Sequence, residues 1–341
     1  MRALRLAPLL GLALLVGCSS LGHGLATALG PAPHPAPWRY EPRGTPADVR
    51  AAELLARFAP AFVIEAGEAE WNRIGTPVLS RRAGIERARV DPARAALYAE
   101  AHEEEVGGRL LDQLVYRIHF DQLAFTRASP LAMHRNAGLL VLIGVDRASG
   151  LPLTVTSVHS CGCWLAVQPT EALAPAALPE DWPAETQELW GEELAARLPV
   201  PAEGERYVVH LRSGIHRVSA VRVGAPDPLA RALPLRPMAE LRSLPVEGRP
   251  GERASFFHEA GYLEGYVKGA WVPLEGLTLG LLTLDPRLGM DRDFGDPRET
   301  GARFSTAIVP WKRERTRLDR FERALAEHGF RVEAFAPAGA P

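Results

Sequence analysis

Cysteine is scarce in this chain: three residues in 341, at positions 18, 161 and 163. Lysine is scarcer, with Lys268 and Lys312 alone, so nearly all positive charge is arginine. The formal net charge is -2. No basic field is present, and nucleic acid is excluded as a partner on that ground. The sequence has no phosphate loop, no Gly-x-Ser-x-Gly elbow and no His-Glu-x-x-His, so no complete catalytic signature is present. It has no internal repeat. Its longest apolar runs, Leu6–Val16 and Leu274–Leu284, fall well short of the roughly 20 residues a membrane-spanning helix needs. What is present is ordinary globular material, 47% hydrophobic and 23% charged, enough to build a core.

The N-terminus carries the clearest pattern. Arg2 and Arg5 precede the apolar run, which ends in Leu15-Val16-Gly17-Cys18. A positive start, a short apolar stretch and a small residue before the break form a signal peptide over residues 1–17. The last four residues resemble the lipobox of bacterial lipoproteins. The resemblance implies lipidation of Cys18, an outer-membrane anchor (Ser19 replaces the aspartate that retains such proteins at the inner membrane) and a periplasmic domain. The partner it implies is the lipid bilayer. Each buried methylene of the anchor adds about 0.8 kcal/mol. The compartment is oxidising. Protein partners are not indicated.

Residues 18–46 read as a tether, since Pro31-Ala32-Pro33-His34-Pro35-Ala36-Pro37 favours polyproline geometry. Residues 47–336 read as one α+β domain: a mainly antiparallel sheet built from hairpins, with flanking helices and long Pro-rich insertions. Residues 337–341 form a tail. Ala47–Phe58 has helical periodicity and Ala61–Ile64 a short strand. Asp91-Pro92 caps a helix expected over Ala93–Val106 and stopped by Gly107-Gly108. Val115–Asp121 alternates as a strand. Gly138–Val145 and Leu151–Val158 form a hairpin around Arg147–Gly150. Glu185–Leu198 reads as an amphipathic helix. Tyr207–Arg212 and Ile215–Val223 make a second hairpin, and 224–254 reads as a Pro/Arg-rich excursion. A helix over Arg315–Glu327 and a strand over Phe330–Phe335 close the chain.

The chemistry-bearing stretch is His159-Ser160-Cys161-Gly162-Cys163. With a four-residue loop, Gly138 faces His159, Asn136 faces Cys161 and His134 faces Cys163. That register places His134, His159, Cys161 and Cys163 on one face of the hairpin's open end. Two thiolates and two imidazoles suit zinc, or copper as Cu(I). On a straight strand the α-carbons of His159 and Cys163 would lie about 13 Å apart, too far for one ion, so the chain must bend at Gly162. The same cysteines allow a strained, easily reduced disulfide with a thiol–disulfide redox role, His159 lowering the thiolate pKa. They also allow an inert pair closing a strand end in a structural envelope lipoprotein. Enzymatic activity is therefore open.

Other candidates are weaker. His210 and His216 flank the second hairpin turn and face each other with a three-residue loop, or lie on opposite faces with a two-residue one. His119 and Asp121 share a strand face, the geometry of a carboxylate-oriented imidazole. His258-Glu259 has no evident partner. Asp291-Arg292-Asp293-Phe294-Gly295-Asp296 reads as a solvated turn, because its glycine falls one position early for an EF-hand.

Overall fold

The computed structural model describes residues 36–43, 49–124, 135–162, 164–270, 287, 289–293 and 321–335. The fold is mostly β rather than α+β with flanking helices. Among the described residues there are two α-helices, α1 (Val49–Phe58) and α2 (Phe321–Glu327). The sixteen strands follow in chain order. They are β1 (Trp38–Arg43), β2 (Ala61–Ile64), β3 (Thr76–Arg82), β4 (Ile85–Asp91), β5 (Leu97–Val106) and β6 (Arg109–Gln122). Next come β7 (Arg135–Asp146), β8 (Pro152–His159), β9 (Ala166–Pro169), β10 (Thr186–Leu189) and β11 (Glu192–Ala195). The last are β12 (Arg206–Leu211), β13 (Val218–Gly224), β14 (Arg231–Pro237), β15 (Leu244–Glu247) and β16 (Arg253–Ala254).

Ten strands form one curled mixed sheet, in the order β13-β12-β2-β1-β14-β5-β6-β7-β8-β9. Its parallel pairs are β1 with β14, β2 with β12 and β14 with β5. Trp38–Arg43, which composition assigns to the tether, is thus an interior strand. The Pro/Arg-rich excursion supplies β14, which joins the two halves of the sheet. A second sheet, β16-β15-β3-β4, and the hairpin β10-β11 complete the strands.

Three expected elements change type. Asp91 does make cap-like bonds, accepting from the Ala93 N–H at 3.0 Å and from Arg94 Nε at 2.8 Å. They close a local turn, and Leu97–Val106 continues as strand β5. Gly107 and Gly108, at φ +56° and +78°, are the two-residue hairpin loop into β6 rather than a helix stop. Glu185–Leu198 is likewise no helix: β10 and β11 pair around Trp190-Gly191, at φ +51° and +75°. Phe330–Phe335 holds a 3-10 turn over Val332–Phe335 instead of a strand. In the first two cases strand pairing outweighs a weak local helix propensity.

Strand alternation divides the interior into two cores. Leu114, Tyr116, Ile118 and Phe120 of β6 join Leu139, Val141, Ile143 and Val145 of β7 on one face of the sheet, with Leu55 and Phe58 of α1. Tyr116 Oη fixes that helix by donating to Leu55 O at 3.0 Å. Val115, Leu140, Leu142 and Val158 point the other way, to Leu79 and Val90 of the second sheet, Phe256, and Phe321 and Leu325 of α2. β7 is buried on both faces, as its nearly unbroken apolar run implies.

Candidate functional site

The hairpin that carries the site starts as expected and then slips. Asp146 N–H donates to Leu151 O at 2.9 Å, closing the loop 147–150. Asp146 also accepts two bonds from Arg109, at 2.7 and 2.8 Å, and one from the Ser149 N–H at 2.8 Å. Burial acts to raise its pKa, but the bonds from Arg109 and Ser149 outweigh that and hold it at about 2. Val145 then pairs with Pro152, while Gly144 pairs with Thr154. Leu153 is the extra residue of a β-bulge. Pro152 has no N–H for the ladder, so this is where a register shift costs least.

That one-residue shift reverses the predicted faces. His159 pairs with Leu139, not Gly138. Its ring lies on the α1 face of the sheet, 2% exposed, edge-on to Trp164 with centroids 4.6 Å apart. His159 Nε2 lies 3.1 Å from His216 O. A carbonyl only accepts, so the proton sits on Nε2 and the lone pair on Nδ1. His134, Cys163 and Cys18 fall outside the described residues. Of the four proposed ligands the structure therefore places His159 and Cys161. It does not put His159 on the face of Asn136, as the expected register required.

Beyond His159 the chain bends. Gly162 N–H donates to His159 O at 2.7 Å, closing a turn over residues 159–162 with Gly162 at φ +85°. Cys161 sits in that turn, half-buried. Ser160 takes the place opposite Gly138 and donates its N–H to Gly138 O at 2.8 Å.

On the opposite face of this end, towards the second sheet, lies a buried polar cluster. Ser160 Oγ–H donates to Asp291 Oδ1, and the same oxygen accepts the Gly138 N–H at 3.0 Å. Arg292 N–H donates to Ser160 O at 3.0 Å. Arg117, 1% exposed, lies beside them with its guanidinium 5.2 Å from the Phe257 ring centre. Burial lowers its pKa to about 10, against the pull of the Asp293, Asp291 and Glu100 carboxylates. Asp291 is 1% exposed, so the stretch expected to be a solvated turn begins inside the protein. Residues 294–296 lie outside the described set.

The remaining candidates are structural. His119 is fully buried between Tyr98 and Phe256, with neither ring nitrogen hydrogen-bonded. Burial, then the charge of Arg117, pushes its pKa well below the usual range. Asp121 therefore does not orient it. His210 pairs with Ala220 in β12, while His216 sits at φ +53° in the loop 212–217, so the two do not face each other. His216 stacks on Phe120 with centroids 3.6 Å apart and reaches Asn72 Oδ1 at 3.2 Å. His258 lines a cleft of about 560 Å³ with Arg81, Glu86 and Lys268. The charges there satisfy one another, Glu86 bonding both Arg81 and Lys268.

Sequence reasoning missed Arg117, Ser160, Asn72 and Asp291. Their partners are far apart in the chain, and only the Gly138 position, too small to fill the row between His119 and Ser160, hints at them. Among the described residues no three of His, Cys, Asp and Glu group to hold a metal. Among them, too, no helix is long and apolar enough to cross a membrane. Comparison with protein-family models, with curated proteins and with solved structures returns no match.

Proposed function

We propose that this chain is a lipid-anchored protein of the bacterial envelope, held at the outer membrane through Cys18 and facing the periplasm. In this reading its β-domain binds one soft metal ion, zinc or Cu(I), at the end of β8. Cys161 and Cys163 are the thiolate ligands and His159 supplies an imidazole nitrogen; the register that nominated His134 as the fourth ligand does not hold, and the fourth position is left to another donor. In this reading it is a binding or accessory protein.

The observation that carries the reading is the turn over residues 159–162. A straight strand would hold the ligands too far apart, and the left-handed Gly162 ends that extension. A second feature supports it. His159 donates through Nε2 to a backbone carbonyl, the kind of contact that orients a ligating imidazole.

The test is metal content and thiol titration on the purified mature protein, with and without chelator. One zinc or copper per chain, with two thiols that become titratable only after chelation, is the expected result. Unchanged metal content in the Cys161→Ser/Cys163→Ser double variant overturns the reading. No metal and a readily reducible disulfide replaces it with a thiol–disulfide redox role. No metal and two inert thiols leaves a structural pair.

A further inference from the structure

We infer that Asp291 is the positioning residue for the turn that carries Cys161. The inference rests on the proposed site only in that Cys161 is its reporter; the contacts stand without any metal. Ser160, the residue before Cys161, is bonded on all sides. Its N–H goes to Gly138 O, its carbonyl accepts the Arg292 N–H and its hydroxyl is bound by Asp291. Asp291 Oδ1 in turn accepts from the Gly138 N–H. One carboxylate thus bridges β7 and the end of β8. Asp291 is itself held from behind, since Val267 N–H donates to Asp291 O at 2.9 Å.

The bridge is tightly specified. Ser160 is 0% exposed and Asp291 1%. A carboxylate so buried is costly unless compensated. Arg117, on β6, supplies the opposing charge, and its guanidinium is held by packing on Phe257. Gly138 leaves the space the bridge occupies, since a β-carbon there would lie 2.4 Å from Ser160 Oγ. Ser160 and Asp291 are 131 residues apart in sequence. The Cys161 turn is therefore set not by its own hairpin alone but by a remote segment docked against it.

The experiment follows alkylation of Cys161 by peptide mapping, in the full chain carrying Cys163→Ser and with chelator present, so that neither metal nor disulfide contributes. Asp291→Ala and Ser160→Ala are expected to speed alkylation at least about tenfold, as local opening does. Asp291→Asn, which keeps an acceptor oxygen, is expected to speed it less. Asp146→Asn breaks a buried ion pair at the opposite end of the hairpin and controls for general destabilisation. If Asp291→Ala is no faster than Asp146→Asn at equal loss of thermal stability, the inference is overturned. Should Asp291→Ala not fold, a wild-type rate in Ser160→Ala overturns it equally. A wild-type chain that holds no metal defeats the metal reading and leaves this test intact.

Discussion

Gly138 and Ser160 face each other across β7 and β8 with no room for a side chain on the glycine, whose β-carbon would stand 2.4 Å from Ser160 Oγ. The nearby atoms belong to a residue bonded on three sides, so they cannot step aside cheaply. Gly138→Ala is expected to cost about 1–3 kcal/mol, the usual penalty for overpacking an interior. Urea denaturation with an unchanged slope would give the value. A neutral result would show that the Ser160 bridge yields more readily than its bonding suggests.

Asp146 ties the other end of the same hairpin. Its folded pKa of about 2 lies below the ordinary carboxylate value. The stability it contributes is therefore complete above pH about 4 and lost as pH falls towards about 2. Asp146→Asn leaves Arg109 without its carboxylate and is expected to cost ~3 kcal/mol at neutral pH. The gap between wild type and variant should close in acid, measured by thermal unfolding at a series of pH values.

His119 titrates in the opposite sense to a salt-bridged histidine. Its folded pKa is depressed, so the unfolded chain binds the proton first, and stability falls as pH drops below about 6.5. His119→Phe fills the aromatic cage between Tyr98 and Phe256 without two unpaired ring nitrogens. It is expected to raise stability by ~1 kcal/mol at pH 7 and to flatten the loss as pH falls below about 6.5. Denaturation curves that keep the wild-type pH dependence would count against it.

Cys18→Ser tests the anchor. Fractionation is expected to move the protein from the membrane pellet to the soluble envelope fraction or to leave an uncleaved precursor. Mass spectrometry of the mature wild-type chain is expected to show a lipidated N-terminal cysteine. An unmodified Cys18 in a soluble wild-type protein defeats that part of the reading.

Much of the sheet could be read from sequence, and its failures have physical causes. The continuous apolar run of β7 and the alternation of β6 announce strands. The loop 147–150 was readable from Ser149-Gly150. The bulge was not, although Pro152 marks where it falls, and that single residue reverses every face beyond it. Ala93–Val106 combines cap chemistry with alanine-rich composition, and pairing with β6 and β14 makes Leu97–Val106 of it a strand. Gly107-Gly108 is a hairpin signal as well as a helix stop, and the cap at Asp91 favours the second reading; Trp190-Gly191 lacks the Asn-Gly, Asp-Gly or Gly-Gly that usually marks a two-residue hairpin. In β6, the alternation that puts Arg117 and His119 opposite Ile118 reads as one polar face. Here that face is covered by a second sheet and α2, so the polar groups are interior. Asp291 has no local signature at all, because its partners arrive from β7 and β8.

The hairpin β10-β11 has a consequence for how the molecule keeps company. A ten-stranded sheet ends in two strands, β13 and β9, and open strand margins template pairing between chains. β11 packs against β13, and Glu192 bonds Arg212 and Arg217 in the loop before it. On the other side Gln168 of β9 donates to Ala195 O at 3.0 Å, and Leu198 N–H donates to Pro169 O at 2.9 Å. The segment 192–198 thus lies against both margins. A strand from another chain would meet this segment at both margins before it reached their backbone.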